Sequence, residues 1–127
     1  MQEGGVTGQT TAERPTKGNT FIVWRKGEVS NFELRLQFKI IGGNSGVQYR
    51  SQEVEKGVIK GYQADFDGAG AWAGTLYEEK GRAVLAKRGQ KVEVGADGKP
   101  KEIGNTAEEA DIVKSLKKED WNDYLII

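Results

Sequence analysis

The sequence predicts an all-β sandwich of mostly antiparallel strands with one short helix. Three observations carry that prediction. Apolar and polar residues alternate without a break from Asn31 to Ile40, the period of two that a half-buried strand requires. Two further alternating runs, Val47 to Ser51 and Gly61 to Phe66, follow closely. Glycine supplies 18 of 127 residues and proline only 2, so turns are frequent and proline stops are rare. A chain of 127 residues is the size of one domain, and residues 1–127 are read as a single one.

Each element follows in order. Phe21-Ile22-Val23-Trp24 is apolar and β-branched and reads as a first strand stopped by Gly27. In the run from Asn31, Phe32, Leu34, Leu36, Phe38 and Ile40 face one way, and Glu33, Arg35, Gln37 and Lys39 face the other. Gly42 to Gly46 is a turn. Val47 to Ser51 and Gly61 to Phe66 are the next strands, separated by a charged loop reaching Gly57. Asp67 to Gly74 is Gly/Ala-rich around Trp72, and Thr75 to Glu79 and Arg82 to Ala86 are short strands. Residues 88–105 lack periodicity and read as an exposed loop or hairpin. Thr106 to Lys118 reads as a short helix, with Thr106 as its N-cap and Glu109 closing a capping box. Trp121 to Ile127 opens a last strand, and Trp24 and Trp121 read as core residues. An apolar strand end such as Leu125-Ile126-Ile127 invites self-association when bare. The expectation is therefore that another chain covers it or that the chain is a fragment of a larger domain.

Composition narrows the chemistry. Lys plus Arg and Asp plus Glu both number 19, so no long-range field gathers nucleic acid or an anionic membrane surface. No apolar stretch reaches the length of a membrane span, and the polar N-terminus does not read as a signal peptide. With no cysteine and no histidine, disulfides, thiolate sites, a Ser-His-Asp triad and a His-ligated zinc are excluded within this chain. Acid–base work falls to Asp, Glu, Lys, Tyr or Arg. No cofactor is assigned. A cation, if one is used, is a hard one such as Ca²⁺ or Mg²⁺, because oxygen ligands alone are available, and the sequence assigns no ligand set.

The outward residues of the three best strands are Glu33, Gln48, Arg50, Gln63 and Asp65. Placed side by side in one sheet, they form a face of carboxylates, amides and a guanidinium, which suits the hydroxyls of a sugar. The plainer alternative is a solvated sheet face with no specific role. Asn44-Ser45-Gly46, just before the second strand, offers further ligand contacts or ordinary turn chemistry. Tyr77, Glu78, Glu79 and Arg82 form a second cluster, read either as a base with a stacking ring or as a surface hairpin of paired charges. Trp72 is either a sugar-stacking platform or a core plug.

Asn31-Phe32-Glu33-Leu34, Asn44-Ser45-Gly46-Val47-Gln48-Tyr49-Arg50-Ser51, Gly61-Tyr62-Gln63-Ala64-Asp65, Leu76-Tyr77-Glu78-Glu79 with Arg82, and Trp121-Asn122-Asp123-Tyr124 come in that order. Together they resemble the 3-keto-disaccharide hydrolase family over nearly the whole chain. The resemblance implies a concanavalin A-like jelly roll acting on glycosides oxidised at carbon 3, by hydrolysis or by elimination and hydration. It also implies an exported, periplasmic or extracellular bacterial protein. Matched by position, Glu33, Asn44, Arg50, Gln63, Asp65, Tyr77, Glu78 and Arg82 are site residues. The family domain begins earlier and continues past the Trp-Asn-x-Tyr strand, so the expectation is a truncated domain lacking its N- and C-terminal strands.

The expected catalytic residues are thus Asp65 or Glu78 as base and Arg50 as the cation beside the developing enolate. Glu33, Asn44, Gln48, Gln63, Trp72, Tyr77 and Arg82 bind substrate. A carbohydrate is the partner, with self-association through the terminal strand. The rivals are a non-catalytic, lectin-like carbohydrate-binding module and an inactive fragment of the enzyme.

Overall fold

Alternating sequence becomes structure in a computed structural model that describes residues 4–127. Its strands are β1 (Leu34–Phe38), β2 (Asn44–Glu55), β3 (Val58–Asp67), β4 (Leu76–Glu79), β5 (Ala83–Ala86), β6 (Gln90–Val94), β7 (Pro100–Asn105) and β8 (Asn122–Ile126), with one helix, α1 (Glu109–Ser115), before β8. The strands form three antiparallel sheets ordered β2-β3-β4-β5, β1-β8 and β6-β7.

The central hairpin is set by a tight turn. Glu55 pairs with Val58, leaving only Lys56-Gly57 between β2 and β3. Gly57 takes a left-handed φ of 75°, as two-residue hairpin loops demand, and its N–H donates to the Glu53 carboxylate. The loop sets the first pairing, and two irregularities, between Glu53 and Glu55 and between Tyr49 and Gln52, shift the register before Gln48 meets Gln63.

Aromatic rings hold the β1-β8 sheet over the four-stranded one. Phe38 of β1 stacks on Phe66 of β3 with ring centroids 4.2 Å apart. Tyr124 of β8 meets both rings edge-on, and Phe32 meets Tyr49 of β2. Such pairs contribute about 0.5–1.5 kcal/mol each beyond their buried area. They matter here because few apolar side chains are fully enclosed. The buried ones are Ile59, Ala64, Ala73, Leu85 and Ile126. The accessible surface is 10023 Å², where a compact chain of this mass exposes about 6,700 Å².

Several expectations change. Residues 21–24 form no strand. Ile22 is 81% and Trp24 62% exposed, and Trp121 is 52% exposed, so neither tryptophan is core. Local β-propensity does not make a strand where no neighbour completes the ladder. The helix N-cap position is Glu108, which makes no side-chain cap hydrogen bond. Thr106 instead donates its hydroxyl to the Gly89 carbonyl at the end of the β6-β7 hairpin, so no capping box forms. That hairpin bears out the second of the two readings of the unperiodic stretch 88–105. The closing strand β8 pairs with β1 on one edge, from Leu34↔Ile126 to Phe38↔Asn122, while its other edge has no partner strand among the described residues and Leu125 and Ile127 are exposed. No helix among the described residues is long and apolar enough to cross a membrane.

Candidate functional site

Register decides which polar side chains meet. Gly46 lies opposite Asp65 and Gln48 opposite Gln63 in the β2-β3 ladder. Gln63 lies opposite Tyr77 and Gly61 opposite Glu79 in the β3-β4 ladder. Opposed residues share a face and successive ones alternate. One face of the sheet therefore carries Asn44, Gln48, Gln63, Asp65, Asp67, Tyr77 and Glu79. The other carries Tyr49, Tyr62, Ala64, Phe66 and Glu78, and Phe66 on this side packs under β1 and β8.

At the centre of the polar face, the Gln48 Nε2 donates to Gln63 Oε1 at 3.3 Å, and the Gln63 Nε2 donates to the Asp65 carboxylate. A glycine leaves room for this string: a Cβ at Gly46 would stand 2.6 Å from Gln63 Cγ. Gln48 Oε1 is buried with no hydrogen-bond partner among the described residues.

Asp65 is only 6% exposed. Burial pushes its carboxyl above the ordinary Asp range. The hydrogen bond from Gln63 works against that rise, and the nearby Asp67 and Glu79 charges add to it. Its backbone is tied on both sides: Asp65 N–H donates to Thr75 O, Gly74 N–H donates to Asp65 O, and the Tyr124 hydroxyl donates to the same carbonyl. The carboxylate itself is therefore not needed to hold the strand.

Beyond Asp65, Asp67 organises the loop to β4. Its carboxylate accepts the backbone N–H groups of Ala71, Trp72 and Ala73. From the other side the buried Arg88 guanidinium donates to Gly70 O and Ala73 O and pairs with Glu109 of α1. Trp72, 49% exposed, thus stands on a backbone fastened at both its donors and its acceptors. It is not a core plug. At the Glu79 end, Asn19, Phe21, Ile59, Glu79 and neighbouring residues line a recess of about 300 Å³, and the Asn19 side-chain amide donates to Glu79.

The sequence-predicted residues separate accordingly. Asn44, Gln48, Gln63, Asp65 and Tyr77 share the polar face. Arg50 sits at a bulge between the Tyr49 and Gln52 pairings, with a left-handed φ of 48°. Glu33 does not join them, because β1 pairs with β8 rather than β2. It forms an exposed pair with Arg35 on the outer face of that sheet. Glu78 and Arg82 lie on the opposite side from Asp65. Arg82 bonds Glu78, the Gly98 carbonyl and the Tyr62 hydroxyl. Those bonds lower the Glu78 carboxyl and raise the Arg82 guanidinium. Asp67 and Arg88 are the additions that the sequence reading missed, and Glu79, grouped there with Glu78, joins the polar face instead.

No group of three or more Asp or Glu side chains among the described residues is arranged to hold a metal ion, and Asp67 already spends its oxygens on three backbone amides. This donor set does not fit a divalent cation, and no step below is routed through one.

A family model for the 3-keto-alpha-glucoside-1,2-lyase-like domain matches residues 1–127. Neither the comparison with curated proteins nor that with solved structures yields a match.

Proposed function

The chain belongs to the 3-keto-alpha-glucoside-1,2-lyase-like domain family, and from that premise we propose that its polar sheet face cleaves glycosides carrying a ketone at carbon 3, within a concanavalin A-like jelly roll. The observation that carries this reading is the buried Asp65, raised above the ordinary carboxyl range and set in a row of carboxamides. A carboxyl lifted toward neutrality is a better base for a carbon acid than an ordinary aspartate.

The ketone acidifies the hydrogen on carbon 2. Asp65 takes that proton, and the electron pair moves into an enolate on the carbon 3 oxygen. Arg50, at the bulge beside the face, supplies the positive charge that stabilises it. The enolate then collapses to expel the glycosidic oxygen from carbon 1, leaving an unsaturated ketone and an alcohol that takes up a proton. Water adds back across carbons 1 and 2, so the net result is hydrolysis. Gln48, Gln63, Tyr77 and Asn44 contact the sugar hydroxyls, and Trp72 offers a ring for stacking.

Glu78 takes no part in this reading, because the strand period turns its side chain to the other side of β4 from Asp65. Glu78→Gln is expected to leave kcat on a 3-keto-glycoside within a few-fold, while loosening the contacts of Arg82 with Gly98 and Tyr62. A loss as deep as that of an Asp65 variant would return Glu78 to the mechanism.

Turnover of paired substrates, 3-keto-glycosides and their unoxidised parents, tests the reading itself. Release of the leaving group from the keto forms alone is the expected result. The exposed, firmly held Trp72 also suits a lectin-like module that binds sugar without cleaving it. Saturable binding of both substrate sets with no turnover of either would establish that module instead.

A further inference from the structure

We propose that Gln63 and Gln48 form a reversible carboxamide relay, which reads the protonation state of Asp65 and inverts when Asp65 takes up a proton. The chemistry of the three groups dictates the two settings. An ionised carboxylate only accepts hydrogen bonds. It therefore draws the Nε2 of Gln63 toward itself, as observed. That turns Gln63 Oε1 toward Gln48, which must answer with its own Nε2, again as observed. The oxygen of Gln48 is left facing away, buried and without a donor, an unfavourable place for an acceptor.

A proton on Oδ1 of Asp65, the oxygen that Gln63 engages, reverses every member. Its O–H now donates, and the only acceptor Gln63 can offer is Oε1. Gln63 rotates by a half-turn about its last torsion, which for such sp³–sp² bonds is broad and two-fold. Its Nε2 then points at Gln48, whose oxygen turns in to accept it. The Gln48 oxygen gains its donor, and its Nε2 takes over the position that has no partner among the described residues. Each setting satisfies the junctions Asp65–Gln63 and Gln63–Gln48, and they differ in what Gln48 presents outward, an oxygen in one and an amide N–H in the other.

The groups facing Asp65 all favour the inverted setting or leave it unchanged. Asp67 on β3 and Glu79 on β4 are both acidic and disfavour the ionised form. Tyr124 on β8 engages the backbone carbonyl of Asp65 rather than its carboxyl. The relay gives Gln63 a positioning role: it gives the base a partner both before and after the proton moves. The reading of Asp65 as the catalytic base supplies only the source of that proton, and the relay itself is set by the three side chains.

Side-chain amide signals of Gln48 and Gln63 and the carboxyl carbon of Asp65, followed by NMR from acid to neutral pH on the substrate-free protein, test this. The expected result is one shared midpoint for all three in the unmodified chain. In Asp65→Asn both glutamine signals should become flat over that range. In Gln63→Leu the Asp65 carboxyl should still titrate while Gln48 stays flat. A Gln48 signal that does not move while Asp65 titrates, or that still follows Asp65 in Gln63→Leu, overturns the relay, as does persistence of the titration in Asp65→Asn if the leucine variant does not fold. Because no substrate is used, a protein inert toward keto-glycosides would defeat the proposed function without touching this result.

Discussion

Asp65→Asn is expected to lower kcat on 3-keto-glycosides by about 10²–10⁴-fold, the usual contribution of a positioned general base, with the fold intact. Retention of the fold follows from how the residue is held. The three bonds that anchor Asp65 to Thr75, Gly74 and Tyr124 all run through its backbone, and asparagine keeps them. It also keeps an oxygen for the Gln63 amide to find. What it loses is the ability to accept a proton from carbon.

The pH dependence of the same residue has two opposite signs. The folded-state pKa of Asp65 lies above its ordinary value. Between the two, the native chain binds more protons than the unfolded one, so stability falls as pH rises across that window. Turnover needs the ionised base, so kcat/KM rises with pH over the same window. A chain that gains activity and loses stability together on this limb, with both slopes flattened in Asp65→Asn, carries both effects on one carboxyl. Undiminished turnover in the asparagine variant would remove Asp65 from the mechanism.

Where the sequence was legible, the reason was local. Gln48, Gln63 and Asp65 could be placed on one face because they sit at alternate positions of two consecutive alternating runs. Glu33 shares the same alternation but not the same sheet. A period of two says which residues of a strand look the same way and is silent about the neighbouring strand. The neighbour of β1 proved to be β8, at the other end of the chain. Glu78 was grouped with Tyr77 by proximity, although adjacent residues in a strand point to opposite sides. Only the pairing of Tyr77 with Gln63 and Glu78 with Tyr62 assigns each to its face. The buried Arg88 was obscure because it carries no periodic signal. Arg88 is enclosed only because loop carbonyls and Glu109 converge on it from separate elements.

Asp67 had a readable signal, an acidic residue at the end of a strand before Gly-Ala-Gly, where a carboxylate can gather the amides of its own turn. Asp67→Ala is expected to cost about 3 kcal/mol of stability, because it leaves three backbone N–H donors without their charged acceptor in a mostly buried site. That is a large share of what a single domain has available. A denaturant titration should show the midpoint falling without a change of slope. The consequence for sugar binding separates this residue from a merely structural one. Asp67 reaches ligand only by fixing the backbone under Trp72, so Trp72→Ala should weaken binding of a sugar by itself, and adding Asp67→Ala to it should weaken binding little more. If the two losses instead add in full, Trp72 and Asp67 act independently, and the loop is not the platform that its three gathered amides and the Arg88 clamp make it.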